Sequence, residues 1–143
     1  MSEDNTIYRI VLVDNDAVPR RIARGICELI AQEISQRAEI QEFDDGVPAW
    51  NYLSQLQEPP HLLLTDMNMN VMYGDELIEK VQAKFPRDRF PSLNITLASD
   101  TSAEMAKSMA GMAESNGYAF LRKPYEIPAL KEHVKKCAPK PAA

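Results

Sequence analysis

Polar side chains follow four separate apolar runs of the sequence, and their types suit chemistry on a phosphoryl group beside a hard cation. Asp14 and Asp66 end two of these runs, whereas Ser99 and Lys123 end two later ones. Carboxylate oxygens are the ligands that Mg²⁺ prefers, and a hydroxyl and an ammonium can stabilise phosphoryl oxygens. If the runs are strands of one parallel sheet, the four side chains meet at its carboxyl edge, where ligands bind in open α/β sheets.

Strand-like and helix-like patterns alternate five times along the chain. Short β-branched or apolar runs predict strands, and apolar residues at helical spacing between them predict helices. The predicted strands are Ile7–Val13, 39–43, 62–65, 93–99 and 118–122. This alternation predicts an α/β fold, in which a doubly wound five-stranded parallel sheet with right-handed crossovers carries helices on both faces.

The predicted helices carry local start and stop signals. Asp16 is a candidate cap for the first helix, and Asn116-Gly117 is a stop signal for the fourth. Met105, Met109 and Met112 recur at helical spacing within that fourth helix. Such a stripe more often fills a core than forms a docking face, so we predict that these methionines are buried.

Length and charge limit the classes of protein that the sequence can encode. The 143 residues allow one domain, which we predict to span residues 7–137 between flexible ends at 1–6 and 138–143. A net charge of −5 argues against nucleic acid as a direct partner. The start of the chain is polar and acidic, no apolar run approaches the length of a membrane span, and the two cysteines lack metal-ligand spacing. We therefore expect a cytoplasmic protein that does not bind a membrane.

Two segments resemble the signatures of bacterial response-regulator receiver domains of the CheY-like type. Residues 64–74, Leu-Thr-Asp-Met-Asn-Met-Asn-Val-Met-Tyr-Gly, are similar to the strand, phospho-acceptor aspartate, loop and glycine of that family. Residues 120–125, Phe-Leu-Arg-Lys-Pro-Tyr, are similar to its Lys-Pro-aromatic step. The resemblance covers residues 7–137 and implies a flavodoxin-like, receiver-type fold in a single domain.

The resemblance also implies a set of acidic and amide residues at the site. Asp66 matches the carboxylate that accepts a phosphoryl group from a sensor histidine kinase or a phosphotransfer protein. Asp14 and Asp66 match the side chains that bind Mg²⁺, with the backbone carbonyl of Asn68 as a further ligand. Asn15 stands where the family usually has a second acid. The loss of one charge predicts weaker Mg²⁺ binding at this site.

The resemblance further implies a switch rather than an enzyme, because its only reactions are self-phosphorylation and autodephosphorylation. Lys123 matches the ammonium that pairs with a phosphoryl oxygen, and Phe120 matches an aromatic switch residue that responds to a nearby hydroxyl. That hydroxyl position falls on Ser99 or on Ala98, and we choose Ser99 because only Ser99 supplies a hydroxyl. The expected output is contact with a downstream protein through the fourth helix, fifth strand and fifth helix.

Two alternative functions are also compatible with the sequence. The amide at Asn15 and the possible placement of Ala98 at the hydroxyl position are compatible with a receiver-like interaction module that has weak or lost phosphorylation. The Asp-x-Asp pattern of Asp14 and Asp16 is similar to that of haloacid-dehalogenase-type phosphatases, in which Asp14 would be the nucleophile and Asp16 the acid/base. This second alternative leaves Asp66 without a role.

Overall fold

The computed structural model describes residues 6–141, which form five strands and five helices in strict alternation. The predicted alternation of strands and helices is confirmed. The elements are β1 (Ile7–Val13), α1 (Ala17–Glu33), β2 (Arg37–Phe43), α2 (Gly46–Leu53), β3 (Leu62–Asp66), α3 (Gly74–Lys84), β4 (Asn94–Asp100), α4 (Ala103–Ser115), β5 (Ala119–Lys123) and α5 (Ile127–Cys137).

The five strands form one parallel sheet in the order β2-β1-β3-β4-β5. β3 is the central strand and is buried throughout, which explains its continuous apolar run. β2 lies at an edge and alternates between exposed and half-buried residues, as its half-polar sequence predicts. Because all strands are parallel, their carboxyl ends lie at the same edge of the sheet.

Helices cover both faces of the sheet and bury two hydrophobic clusters. On one face, α1 and α5 pack against the sheet through residues such as Ile30 and Val134. On the other face, α2 and α3 pack through residues such as Leu53 and Leu77. Burying a leucine or valine side chain of this kind stabilises the fold by about 1.5–3 kcal/mol.

The local signals of the helices are mostly confirmed. The carboxylate of Asp16 accepts a hydrogen bond from the Val18 backbone N–H and caps α1. Gly117 follows α4 with a φ of 79°, a conformation that glycine adopts without strain. α2 ends at Leu53, and Leu56 lies beyond the helix.

The prediction that the α4 methionines fill the core is wrong for two of the three. Met105 is 53% exposed and Met112 is 62% exposed, whereas Met109 packs partly against the core. α4 buries only Ala113 among its 13 residues. The periodicity was correct for a helix, but a helix that contacts the sheet through so few residues leaves most of its apolar side chains in solvent.

The predicted flexible ends, 1–6 and 138–143, are only partly covered by the structure. Residues 1–5 and 142–143 are not among the described residues. Within the described part of the tail, the Pro139 carbonyl accepts a hydrogen bond from the Gln36 side-chain amide at 2.8 Å. No helix within residues 6–141 is both long enough and apolar enough to cross a membrane.

Candidate functional site

Two carboxylates and one ammonium meet at the carboxyl edge of the sheet. Asp14 directly follows β1, Asp66 ends β3 and Lys123 ends β5. All three are buried, with exposed fractions of 4%, 5% and 8%. Lys123 Nζ lies 3.0 Å from Asp14 Oδ2 and 3.0 Å from Asp66 Oδ1. One lysine therefore bridges two acids, and the group retains a net negative charge.

Burial and charge act on this group in opposite directions. Burial raises the pKa of Asp66, and the nearby charge of Asp14 adds to the rise, although the hydrogen bond from Lys123 opposes it. Burial lowers the pKa of Lys123, but its hydrogen bonds to both carboxylates outweigh burial and raise the pKa above the usual value. The ammonium is therefore held in its charged form between the two acids.

The loop that follows β1 fixes the carboxylate of Asp14. Its Oδ1 accepts a hydrogen bond from the Asp16 backbone N–H at 2.9 Å, and its Oδ2 faces Lys123. Arg20 also donates to the Asp14 carbonyl and lies 3.2 Å from Glu42 at the end of β2. Because Asp16 caps α1 with its own carboxylate, that side chain has a structural task at the mouth of the site.

A cleft that Asp66 and Lys123 help to line has a volume of about 580 Å³. Asn15, Asp16, Asn68, Asp100 and Tyr125 lie in its lining, with apolar residues of α1 on the other wall. Asp100 and Tyr125 were not anticipated from the sequence as site residues. Burial raises the pKa of Tyr125, and the charges of two nearby acids raise it further. The position of Tyr125 directly after the Lys-Pro step is the sequence signal that could have identified it as a site residue.

The donor set at this edge of the sheet fits a hard cation. Asp14 and Asp66 offer carboxylate oxygens, and Asn68 lies two residues beyond Asp66 in the loop that borders the cleft. Within residues 6–141, no three side chains of His, Cys, Asp or Glu form a group that could hold a metal. A cation here would therefore depend on two carboxylates, a backbone carbonyl and water, which is a set that Mg²⁺ accepts. Asn15 is exposed and lines the cleft.

Strand register separates Ala98 from Ser99. Asp66 pairs with Ala98 across β3 and β4. Ala98 is fully buried in the same cluster as Leu12 and Leu64, whose strands carry the two acids. Ser99 is the next residue, so its side chain leaves the strand on the opposite face, and it does not contribute to the cleft lining. Ala98 is therefore the candidate that lies beside the acceptor carboxylate in the register of the sheet, and the role of Ser99 as the hydroxyl residue stays a prediction.

Phe120 lies where the sequence resemblance expects an aromatic residue. It pairs with Leu97 in the register of β4 and β5. It is half-buried and packs against the cluster on the α2 and α3 face of the sheet. The predicted aromatic switch residue thus sits on the same face as Ser99 and on the opposite face from the acids.

A protein-family model described as "Response regulator receiver domain" matches residues 10–135 of the chain. The chain belongs to the response-regulator receiver family. A chemotaxis protein CheY homolog from Campylobacter jejuni is 28% identical over 126 residues, which cover 88% of this chain and 88% of that protein. The chemotaxis protein CheY-3 of Vibrio cholerae is 28% identical over 132 residues, which cover 92% of each chain. The crystal structure of a response regulator receiver protein from Pseudomonas putida is similar with a TM-score of 0.61 and 28% identity, over 92% of this chain and 97% of that one.

These comparisons confirm the flavodoxin-like, receiver-type fold and place the protein in a family of two-component signalling switches, most of which are not classical enzymes. They do not favour the phosphatase alternative. The capping role of Asp16 is a further point against the phosphatase, because that alternative requires Asp16 as its acid/base.

Proposed function

We propose that this receiver domain is a phosphorylation-dependent switch in the cytoplasm. Asp66 would accept a phosphoryl group from a sensor histidine kinase or a phosphotransfer protein. The observation that carries the proposal is the pair of 3.0 Å contacts that join Lys123 to Asp14 and to Asp66. They support a site in which one acid reacts, one acid remains charged beside it, and one ammonium can compensate added negative charge.

In the proposed transfer, a carboxylate oxygen of Asp66 attacks phosphorus and forms a P–O bond. The P–N bond to the donor histidine breaks, and its electron pair returns to the imidazole nitrogen. The carboxylates of Asp14 and Asp66 and the Asn68 carbonyl would hold Mg²⁺. The bound cation would supply positive charge for the phosphoryl oxygens. Lys123 would then leave its two-acid bridge to pair with a phosphoryl oxygen. By analogy with phosphoserine, the attached group would carry about −1.5 to −2 charges.

We propose that the phosphorylated form signals through the surface formed by α4, β5 and α5. Two exposed methionines on α4, Met105 and Met112, support a protein contact there, because flexible apolar side chains adapt to partner surfaces. Phe120 on β5, within this surface, is half-buried and packs against the sheet cluster. A change in its rotamer is therefore positioned to alter the output surface.

Intact mass spectrometry after incubation with acetyl phosphate and Mg²⁺ tests the proposal. The parent protein should gain the mass of one phosphoryl group, and Asp66→Asn should gain none while it keeps the far-UV circular dichroism of the parent. Asp100→Asn is the matched control, because Asp100 is an exposed acid in the same cleft. A phosphoryl group that persists in Asp66→Asn would contradict the assignment of Asp66.

A further inference from the structure

The carboxylate of Asp45 joins α2 to the loop that follows the acceptor strand. Its Oδ1 accepts a hydrogen bond from the Val71 backbone N–H at 2.9 Å. Its Oδ2 accepts from Met72 N–H at 3.1 Å and from Val47 N–H at 3.0 Å. The Val47 bond caps α2, whereas the other two bonds hold a segment 26 and 27 residues away in the sequence. One side chain therefore performs two separable tasks.

The held segment is the outer part of the loop that carries Asn68. The root of this loop is fixed by backbone hydrogen bonds, from Met67 N–H to the Ala98 carbonyl and from Gly74 N–H to the Met67 carbonyl, each 2.9 Å long. Within this loop the Met72 side chain is buried, whereas Asn68 is exposed and lines the cleft. The Asp45 carboxylate holds the same loop at Val71 and Met72, between Asn68 and Gly74.

Two further observations show how closely α2 and this loop fit. A Cβ at Gly46 would lie 2.6 Å from the Met72 carbonyl oxygen, so only glycine allows the loop to approach the start of α2. Burial raises the pKa of Asp45, but the backbone hydrogen bonds from Val47, Val71 and Met72 outweigh it and lower the pKa below its usual value. The carboxylate is therefore bound in its charged form by the loop as well as by the helix.

We propose that Asp45 is a positioning residue for the cation site. It holds the segment at Val71 and Met72, and thereby keeps the Asn68 carbonyl at the cleft. This inference rests on the proposed function, because it concerns the Mg²⁺ that supports phosphorylation of Asp66. The residue does not touch the cation, so its effect passes through the backbone of the loop. It resembles the outer partners that orient metal ligands in other sites.

The structure offers a variant that separates the two tasks of Asp45. Serine is as good an N-cap as aspartate, so Asp45→Ser retains the cap on Val47 N–H. Its shorter side chain with a single oxygen cannot also hold Val71 and Met72. Asp45→Ala loses both tasks. Asp44→Asn controls for charge, because Asp44 is the exposed neighbouring acid.

Isothermal titration with Mg²⁺ and the Mg²⁺ dependence of phosphorylation by acetyl phosphate provide the test. All variants are compared at a temperature where circular dichroism shows them folded. Asp45→Ser and Asp45→Ala should both weaken Mg²⁺ binding by about tenfold, the lower end of the loss for outer partners of metal ligands. Asp44→Asn should bind as the parent does. The rate at saturating Mg²⁺ should stay near that of the parent, because Asp66 and Lys123 are intact.

An Asp45→Ser variant whose Mg²⁺ affinity equals that of the parent would overturn the inference. If Asp45→Ala alone then lost affinity, Asp45 would be a helix cap and no more. Failure of the proposed function is distinguishable, because the parent would then neither bind Mg²⁺ nor gain a phosphoryl group. Amide hydrogen exchange gives a readout without phosphorylation: residues 70–72 should exchange faster in Asp45→Ser, whereas α2 should not.

Discussion

Replacing Lys123 by methionine removes the ammonium that lies 3.0 Å from both Asp14 and Asp66. Methionine keeps most of the apolar stem and adds no charge, so the change isolates the electrostatic contribution. The two carboxylates then remain buried, with exposed fractions of 4% and 5%, and without their cation. We expect the folded state to lose stability at neutral pH.

The magnitude follows from opposing contributions. At an effective dielectric constant of about 20, unit charges separated by 3.0 Å attract each other by about 5.5 kcal/mol, and Lys123 makes two such contacts. Removing the ammonium also ends the cost of burying it, which is several kcal/mol. Loss of one partner from a buried ion pair typically costs about 3–5 kcal/mol, and we expect about 3 kcal/mol here.

The pH dependence has a definite sign. Burial already raises the pKa of Asp66 against the hydrogen bond from Lys123, so the variant should raise that pKa further. When the pKa of a carboxyl group is higher in the folded than in the unfolded protein, the free energy of unfolding falls as pH rises from the unfolded pKa towards the folded pKa. The deficit of Lys123→Met should therefore be small near the usual carboxyl pKa of about 4 and grow towards about pH 7.

Urea unfolding of parent and variant at about pH 4.5 and about pH 7 measures both quantities. Lys107→Met is the control, because Lys107 is exposed on α4 and its replacement should change stability by less than about 0.5 kcal/mol. Adding Asp66→Asn to Lys123→Met should restore part of the loss, since one of the two unpaired charges is then gone. Equal unfolding midpoints for parent and variant at about pH 7, or a deficit that does not change with pH, would refute the reasoning.

Three further predictions concern the site and its loop. Ala98→Ser places a hydroxyl beside the acceptor and should speed phosphorylation by acetyl phosphate about tenfold, as expected for a hydrogen bond to a charged group. Ser99→Ala should leave the rate unchanged, and the reverse pattern in intact-mass time courses would support Ser99 as the hydroxyl residue. Asn15→Asp should tighten Mg²⁺ binding by adding a carboxylate to a hard-cation site, and calorimetry that shows equal or weaker binding would count against Asn15 as a neighbour of the cation. Gly74→Ala should destabilise the domain, because its Cβ would meet the backbone carbonyl of the acceptor residue, whereas Gly111→Ala, with nothing within 4 Å, should stabilise α4 by up to about 1 kcal/mol in thermal unfolding.

Local patterns predicted the elements and much of the candidate site. β-branched and apolar runs, helical spacing and turn residues act over a few neighbouring residues, so the order of strands and helices follows from the sequence. The positions of Asp14, Asp66 and Lys123 follow for the same reason, because each lies at the carboxyl end of a strand and parallel strands end at one edge. The resemblance to receiver domains then supplied roles for these residues.

The tertiary structure decided what depends on contacts between distant segments. The pairing of β3 with β4 sets Ala98 beside Asp66, and a shift of one residue would have placed Ser99 there. The bonds of Asp45 to Val71 and Met72 join segments 26 and 27 residues apart, although the sequence shows only a turn before α2. The exposure of the α4 methionines likewise depends on how few residues of α4 meet the sheet. Register, loop anchoring and burial are properties of packed surfaces, and a periodicity within one segment carries no information about its neighbour.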